Sequence, residues 1–313
     1  MLESNFLSQT LDLKQTCFDI YTQDNLRLRA AYWQSKRSKT AGTICLFQGR
    51  AEFIEKYAEV IFELTARGFA VAAFDWRGQG GSQRLLKNTT KGHVRDFNHY
   101  QQDIDAFLQS VSTLKPAGPL YAIAHSMGAT ILLRSISTKQ SYFERAVFSA
   151  PMVEIYGFRM PQLAKILAYG LNYVGFGECF VPGGGQKSIS AKPFESNLLS
   201  SDQARYERTA QTLLDMPELS IGDPTVSWVS GAFNAMSALA NPDFGADFTV
   251  PSLIISGSGD RLCSTPAAME LANRLRYCKG LEIADARHEI LMEKDPIRSQ
   301  FWTAFDEFIP SNI

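Results

Sequence analysis

Leu120-Tyr121-Ala122-Ile123-Ala124-His125-Ser126-Met127-Gly128-Ala129-Thr130-Ile131-Leu132-Leu133 is the stretch whose reading decides the fold. Residues 120–124 are an apolar run that reads as a buried parallel strand, and Ile131, Leu132 and Leu133 continue beyond it with helical spacing. Between them a serine stands among small residues. Ala124 and Gly128 let the chain reverse from strand to helix within a few residues, the geometry of a nucleophile elbow, in which Ser126 projects with backbone N–H groups behind it. The pattern is A-x-S-x-G, with Ala124 in the place of the first glycine. Such a pentapeptide is common, so the rest of the chain has to carry the argument.

Outward from this point strands and helices alternate. Upstream, 16–21 and 26–33 read as an antiparallel hairpin, 43–47 as a buried strand, 53–67 as a helix stopped by Gly68, 69–74 as a strand and 98–114 as a helix. Downstream lie strand 146–150, strand 252–256, helix 266–275, strand 281–284 and helix 296–308. This alternation predicts an α/β fold with a mostly parallel, doubly wound sheet. Between Met152 and Asn241 it gives way to helical segments at 161–174, 201–214 and 225–239. The chain therefore divides into an α/β core, 1–151 and 242–313, and a helical cap inserted at 152–241.

Composition narrows the function. A formal charge of −1 with scattered Lys and Arg gives no electrostatic footprint for nucleic acid. Five cysteines without C-x-x-C spacing read as reduced thiols of a cytoplasmic protein. Residues 1–16 lack the continuous apolar run of a secretory signal, and the most apolar later stretch, 166–181, is broken by glycines and is too short to cross a bilayer. Two glycine-rich loops fail as phosphate cradles. Asp75–Ser82 does not meet G-x-G-x-x-G, because Gln83 follows three residues after Gly80, and Pro182–Ser188 lacks the G-K-[ST] ending. The first reads as a tight structural turn and the second as a flexible connection.

A serine needs a general base near neutral pH, and histidine suits that task. Of the four histidines, His125 adjoins the serine but points elsewhere at an elbow, and reads as a packing residue. His93 and His99 read as surface histidines near a helix entrance. His288 follows the last strand, on the edge where it can reach Ser126. An acid must hold the histidine in one tautomer, and Asp260 ends the preceding strand on the same edge. The chain order Ser126, Asp260, His288 is nucleophile, acid, base. The oxyanion of a tetrahedral intermediate would be met by the backbone N–H groups of Met127 and of Arg50, in the loop after strand 43–47. The Arg50 side chain is expected to pair with Glu52 or Glu55. No metal or other cofactor is implied, because the nucleophile is organic and no histidine–carboxylate ligand cluster stands out.

With these residues in place the chain resembles the α/β-hydrolases, and among them the monoacylglycerol lipases and bacterial lysophospholipases. The resemblance rests on Gln48-Gly49-Arg50-Ala51-Glu52-Phe53, on Asp75-Trp76-Arg77-Gly78-Gln79-Gly80-Gly81-Ser82 and on His125-Ser126-Met127-Gly128. In the cap it extends to Phe194-Glu195-Ser196-Asn197, Asp202, Arg205, Tyr206, Gly222-Asp223-Pro224-Thr225 and Trp228, which look like the bacterial lysophospholipase branch. Gln48 stands where that group usually has histidine.

The resemblance implies a serine hydrolase that cleaves carboxylic esters of single-acyl lipids, lysophospholipid or monoacylglycerol, through an acyl-enzyme. The alternatives are a small-ester carboxylesterase and an aminopeptidase-like amide hydrolase, the latter needing a carboxylate cluster for an amine, for which Glu154, Glu178 and Glu195 are too dispersed. Leu163, Ile166, Leu167, Leu171 and Val174 are expected either to line an acyl channel or to pack cap against sheet. The expected partner is a small lipid ester, and the apolar cap suggests transient contact with a membrane surface, peripheral to its inner face.

Overall fold

The computed structural model describes residues 15–116, 118–138, 142–156 and 161–311. The reading of residues 1–16 as lacking a secretory signal lies outside them, save for the last two positions. Eight strands, β1 (Gln15–Tyr21), β2 (Arg27–Trp33), β3 (Gly42–Phe47), β4 (Phe69–Phe74), β5 (Leu120–His125), β6 (Phe143–Ser149), β7 (Ser252–Gly257) and β8 (Cys278–Ile283), form one sheet in the order β1-β2-β4-β3-β5-β6-β7-β8. Only β2 runs against the others. The helices are α1 (Ala58–Ala66), α2 (His99–Thr113), α3 (Ser126–Thr138), α4 (Pro161–Leu171), α5 (Gln203–Asp215), α6 (Val226–Ala240), α7 (Thr265–Arg274) and α8 (Asp295–Phe308).

The sequences of β3 and β4 are apolar at nearly every position, and every residue of both is buried. Strands covered on both faces need such continuous runs. On one face Phe47 and Phe74 meet Phe107 of α2, with ring centroids 5.8 Å and 4.6 Å apart. On the other, Val60 and Leu64 of α1 and Phe301 and Phe305 of α8 pack over Val71 and Ile123. The expected helix 53–67 opens as a 3-10 turn over Ile54–Tyr57, since Phe53 offers no side-chain cap to its first amides.

Sheet order places the chemistry. From β3 the chain goes to β4 on one side and then to β5 on the other. The loops leaving the C-terminal ends of β3 and β5 diverge there and leave a crevice, the usual ligand position in open α/β sheets. The segment between β6 and β7 adds no strand to the sheet among the described residues, and its helices α4 and α6 pack on one another. Short bridges from Gly92 to Pro224 and from Ile155 to Cys263 tie it to the rest. Among the described residues no helix is long and apolar enough to cross a membrane.

Candidate active site

Strand β5 ends at His125 and α3 begins at once, with Ser126 in the left-handed region at φ 51°. A non-glycine residue there carries strain of about 1–3 kcal/mol, which the surrounding packing has to offset. Gly128 shows how close that packing is. A Cβ at this position would lie 2.4 Å from the Gln48 carbonyl oxygen and 2.6 Å from that of Phe47. The elbow and the loop after β3 can approach one another only because residue 128 has no side chain. At position 124 alanine fits, fully buried.

The structure brings Ser126, His288 and Asp260 together. The Ser126 hydroxyl lies 2.9 Å from His288 Nε2, and His288 Nδ1 lies 2.7 Å from Asp260 Oδ2. Asp260 Oδ1 accepts the backbone N–H groups of Leu262, at 2.7 Å, and Cys263, at 3.0 Å. Burial would raise the Asp260 pKa, but the His288 ring and these amides outweigh it and hold the carboxyl below its ordinary value. Burial would lower His288, and the Asp260 carboxylate outweighs that, raising it above 6.5. An imidazole poised this way can take a proton from the serine hydroxyl and be stabilised as imidazolium.

Gly49 and Arg50 lie in the loop after β3, across the elbow from Met127. The Met127 amide, in the first turn of α3, has no intrahelical acceptor. The Gly49 amide is engaged, donating to Glu52 Oε2. Bracing of this loop comes from the glycine-rich turn after β4. Trp76 Nε1 donates to the Gln48 carbonyl at 2.8 Å and Gln79 Nε2 to the Gly49 carbonyl at 2.8 Å. Because it is the main chain of Gln48 that is held, the loop is fixed without a histidine at that position.

Behind the serine lies a buried polar cluster that sequence reasoning missed. Lys56 Nζ sits between Glu52 Oε1, at 2.8 Å, and Glu289 Oε1, at 2.5 Å, and Tyr57 donates to Glu52 at 2.8 Å. Burial opposes the Glu52 carboxylate, yet Lys56 prevails and holds its pKa at about 2. His125 is pushed the other way, to about 4 by burial, so at neutral pH it is an uncharged ring, 4.9 Å from the His288 ring. Glu52 and Lys56 stand four apart, a helical pair visible in the sequence. Glu289 joins them only through the fold. Cys263, three residues after Asp260, is a further buried thiol that lines the cavity beside Ser126. Among the described residues Asp260, Cys263 and His288 form the one group of metal-ligand types, and Asp260 and His288 are already bonded to each other.

Three expectations are corrected. His93 is not a surface residue: it is buried, with Nδ1 2.9 Å from the Thr225 hydroxyl and 3.2 Å from that of Ser227, so it fastens the segment after β6 to the core. Arg50 pairs with neither Glu52 nor Glu55, because Lys56 takes the first and Arg29 the second. The proposed acyl-channel residues do not line the cavity at Ser126. Leu163, Ile166, Leu167 and Val174 are 53%, 66%, 50% and 62% exposed, and Leu171 also stays outside the cavity. Helix α4 is apolar on most faces, but the face that meets α6 carries Ala164, Ala168 and Tyr169, whose hydroxyl donates to Asn234 at 2.6 Å, and Leu163, Ile166 and Leu167 are left outward. The turn after α4 adds Tyr173, 92% exposed. The apolar wall at Ser126 comes instead from α6, with Trp228, Val229, Phe233 and Met236, and from Ile155 and Leu199, around a cavity of about 290 Å³.

Comparison with known proteins places this geometry. The family model described as serine aminopeptidase, S33, matches residues 38–295. Lysophospholipase L2 of Escherichia coli strain K12 is 31% identical over 303 residues, covering 91% of this chain and 84% of its own. The monoglyceride lipase of Homo sapiens is 25% identical over 281 residues, covering 87% and 83%. Among solved structures, a soluble variant of monoglyceride lipase from Saccharomyces cerevisiae, in complex with a substrate analog, superposes with a TM-score of 0.75 at 16% identity, over 94% of this chain and 96% of that one.

Proposed function

Because the chain belongs to the serine aminopeptidase S33 family of α/β-hydrolases, in its group of lysophospholipases and monoacylglycerol lipases, we propose that it cleaves the carboxylic ester of a single-acyl lipid through an acyl-enzyme. The observation that carries this is the Ser126–His288–Asp260 chain of hydrogen bonds opening into an apolar cavity. In the proposed mechanism His288 Nε2 takes the Ser126 proton as Oγ attacks the ester carbonyl, and the Arg50 and Met127 amides receive the oxyanion. His288 then protonates the leaving alcohol, and water, activated by the same imidazole, releases the fatty acid. Each acyl CH₂ buried against α6 contributes roughly 0.8 kcal/mol.

The amide-hydrolase reading is weaker because a peptide amine needs an available carboxylate. The two glutamates at the cavity, Glu52 and Glu289, are both bound to Lys56. Fatty acid release from lysophospholipids and monoacylglycerols, measured beside proline release from dipeptides, tests the choice. Lipid esters are expected to be hydrolysed at least tenfold faster in kcat/KM, and a dipeptide preference would reverse the assignment.

We take residues 152–241 as a cap, whose outward-facing Leu163, Ile166, Leu167 and Tyr173 form an apolar patch suited to a lipid surface. A protein whose substrate resides in membranes gains by docking there peripherally, and five free cysteines fit a reducing compartment. Ile166→Ser with Tyr173→Ser is expected to lower co-sedimentation with phospholipid vesicles at least fivefold. Unchanged vesicle binding would rule the patch out.

A further inference from the structure

Arginines buried in this fold carry carboxylates. Arg29 holds Glu55 and Asp75, Arg77 holds Asp103 and Asp24, and Arg298 holds Glu63 and Glu59. Arg50 is different. Its Nη2 donates to the Gly222 carbonyl, its buried Nε has no acceptor, and no carboxylate forms an ion pair with it among the described residues. Asp223 acts on it only from beyond ion-pair distance, and its Oδ2 accepts the Gly185 amide at 2.9 Å.

The seat of this guanidinium is nonetheless built. Its Cζ lies 5.4 Å from the Trp228 ring, which orients the planar fork. A Cβ at residue 92 would lie 2.8 Å from Nη2, so Gly92 leaves the room it occupies. Burial lowers the Arg50 pKa to about 10, which leaves it charged at neutral pH. A cation withdrawn from water without a counter-ion is destabilising, and the cost is relieved when a ligand brings the anion. Arg50 and Trp228 line the same cavity as Ser126 and His288.

We propose that the Arg50 side chain binds the phosphate of a lysophospholipid, and that this makes the site prefer a lysophospholipid to the monoacylglycerol carrying the same acyl chain. The geometry follows the substrate's own layout. The Arg50 amide meets the scissile carbonyl, and its side chain reaches away toward Gly222 and Trp228, as the glycerol unit carries the phosphate away from the ester. A planar guanidinium pairs with phosphate oxygens through a fork of donors, and the neutral headgroup of a monoacylglycerol offers it no charge. The inference rests on the reading of the site as a single-acyl lipid esterase.

Two measurements test it. In the first, kcat/KM is determined for 1-palmitoyl-lysophosphatidylethanolamine and 1-palmitoylglycerol in identical mixed micelles, for the wild type, Arg50→Met and Arg50→Lys. The ratio of the two constants is expected to fall at least tenfold in Arg50→Met, mainly through KM for the lysophospholipid, and to be partly restored in Arg50→Lys. If both constants fall in parallel and the ratio stays as in the wild type, the side chain is only structural and the proposal is overturned. The second uses the wild type alone and does not depend on a variant folding. Non-hydrolysable ether analogues of the two lipids compete against p-nitrophenyl butyrate, and the phosphate-bearing ether is expected to inhibit at least tenfold more tightly. Equal inhibition overturns the phosphate site. A wild type that hydrolyses neither lipid would refute the esterase reading instead, and the ether competition would still decide on the phosphate preference, with its loss in Arg50→Met assigning it to Arg50.

Discussion

Ser126→Ala is expected to lose about 10⁶-fold in kcat on a lysolipid ester, because without the nucleophile the base and the oxyanion donors have no covalent step to assist. The fold should be unaffected. Only Oγ is removed, and alanine occupies the same elbow backbone. Treatment with a fluorophosphonate, followed by peptide mass spectrometry, gives the complementary result: an adduct on Ser126 in the wild type and none in the variant. An adduct on another residue, or activity in Ser126→Ala within tenfold of wild type, would contradict the mechanism.

Asp260→Asn is expected to lower kcat by about 10⁴-fold, since an amide in place of the carboxylate permits the wrong histidine tautomer and gives the imidazolium no counter-charge. The pH profile carries a second, signed consequence. His288 must be unprotonated to act as base, so activity falls as pH drops through its pKa. The Asp260 carboxylate outweighs the effect of burial and raises that pKa above 6.5, which places the acid limb of kcat/KM in the wild type above pH 6.5. In Asp260→Asn this support is gone while the burial remains, and the limb should move to lower pH. A limb that stays in place would mean that another group titrates. Glu289 and Glu52 also act on His288, from the Lys56 cluster. Lys56 offsets only one of their two charges, so they should retain a smaller part of the shift, while the Asp260 charge and its hydrogen bond supply the larger part.

The expected strands were found within a few residues because their signal is continuous apolar sequence, as in Phe69–Phe74, which is strand in full. The residues expected at the serine were legible for a related reason. In a parallel sheet, strand ends lie on one edge, so Asp260 after β7 and His288 after β8 arrive where Ser126 leaves β5. What was not legible was orientation. The face of α4 that would meet α6 could not be read from an amphipathic stripe, since apolar residues surround that helix, and Leu163, Ile166 and Leu167 proved to face outward while Tyr169 faces α6.

By itself, then, the sequence determined the order of strands and helices, the elbow at Ser126 and the strand ends that carry Ser126, Asp260 and His288. These depend on local periodicity, on turn chemistry and on the few ways a parallel sheet can be wound. The tertiary structure alone decided that Lys56 would pair with both Glu52 and Glu289, that Arg29 would take Glu55 and that Arg50, a residue of the cavity lining, would have no carboxylate partner among the described residues. Ion-pair partners are settled by competition among groups distant in sequence, here 26 residues apart for Arg29 and Glu55 and 233 for Lys56 and Glu289, and no local pattern records the outcome.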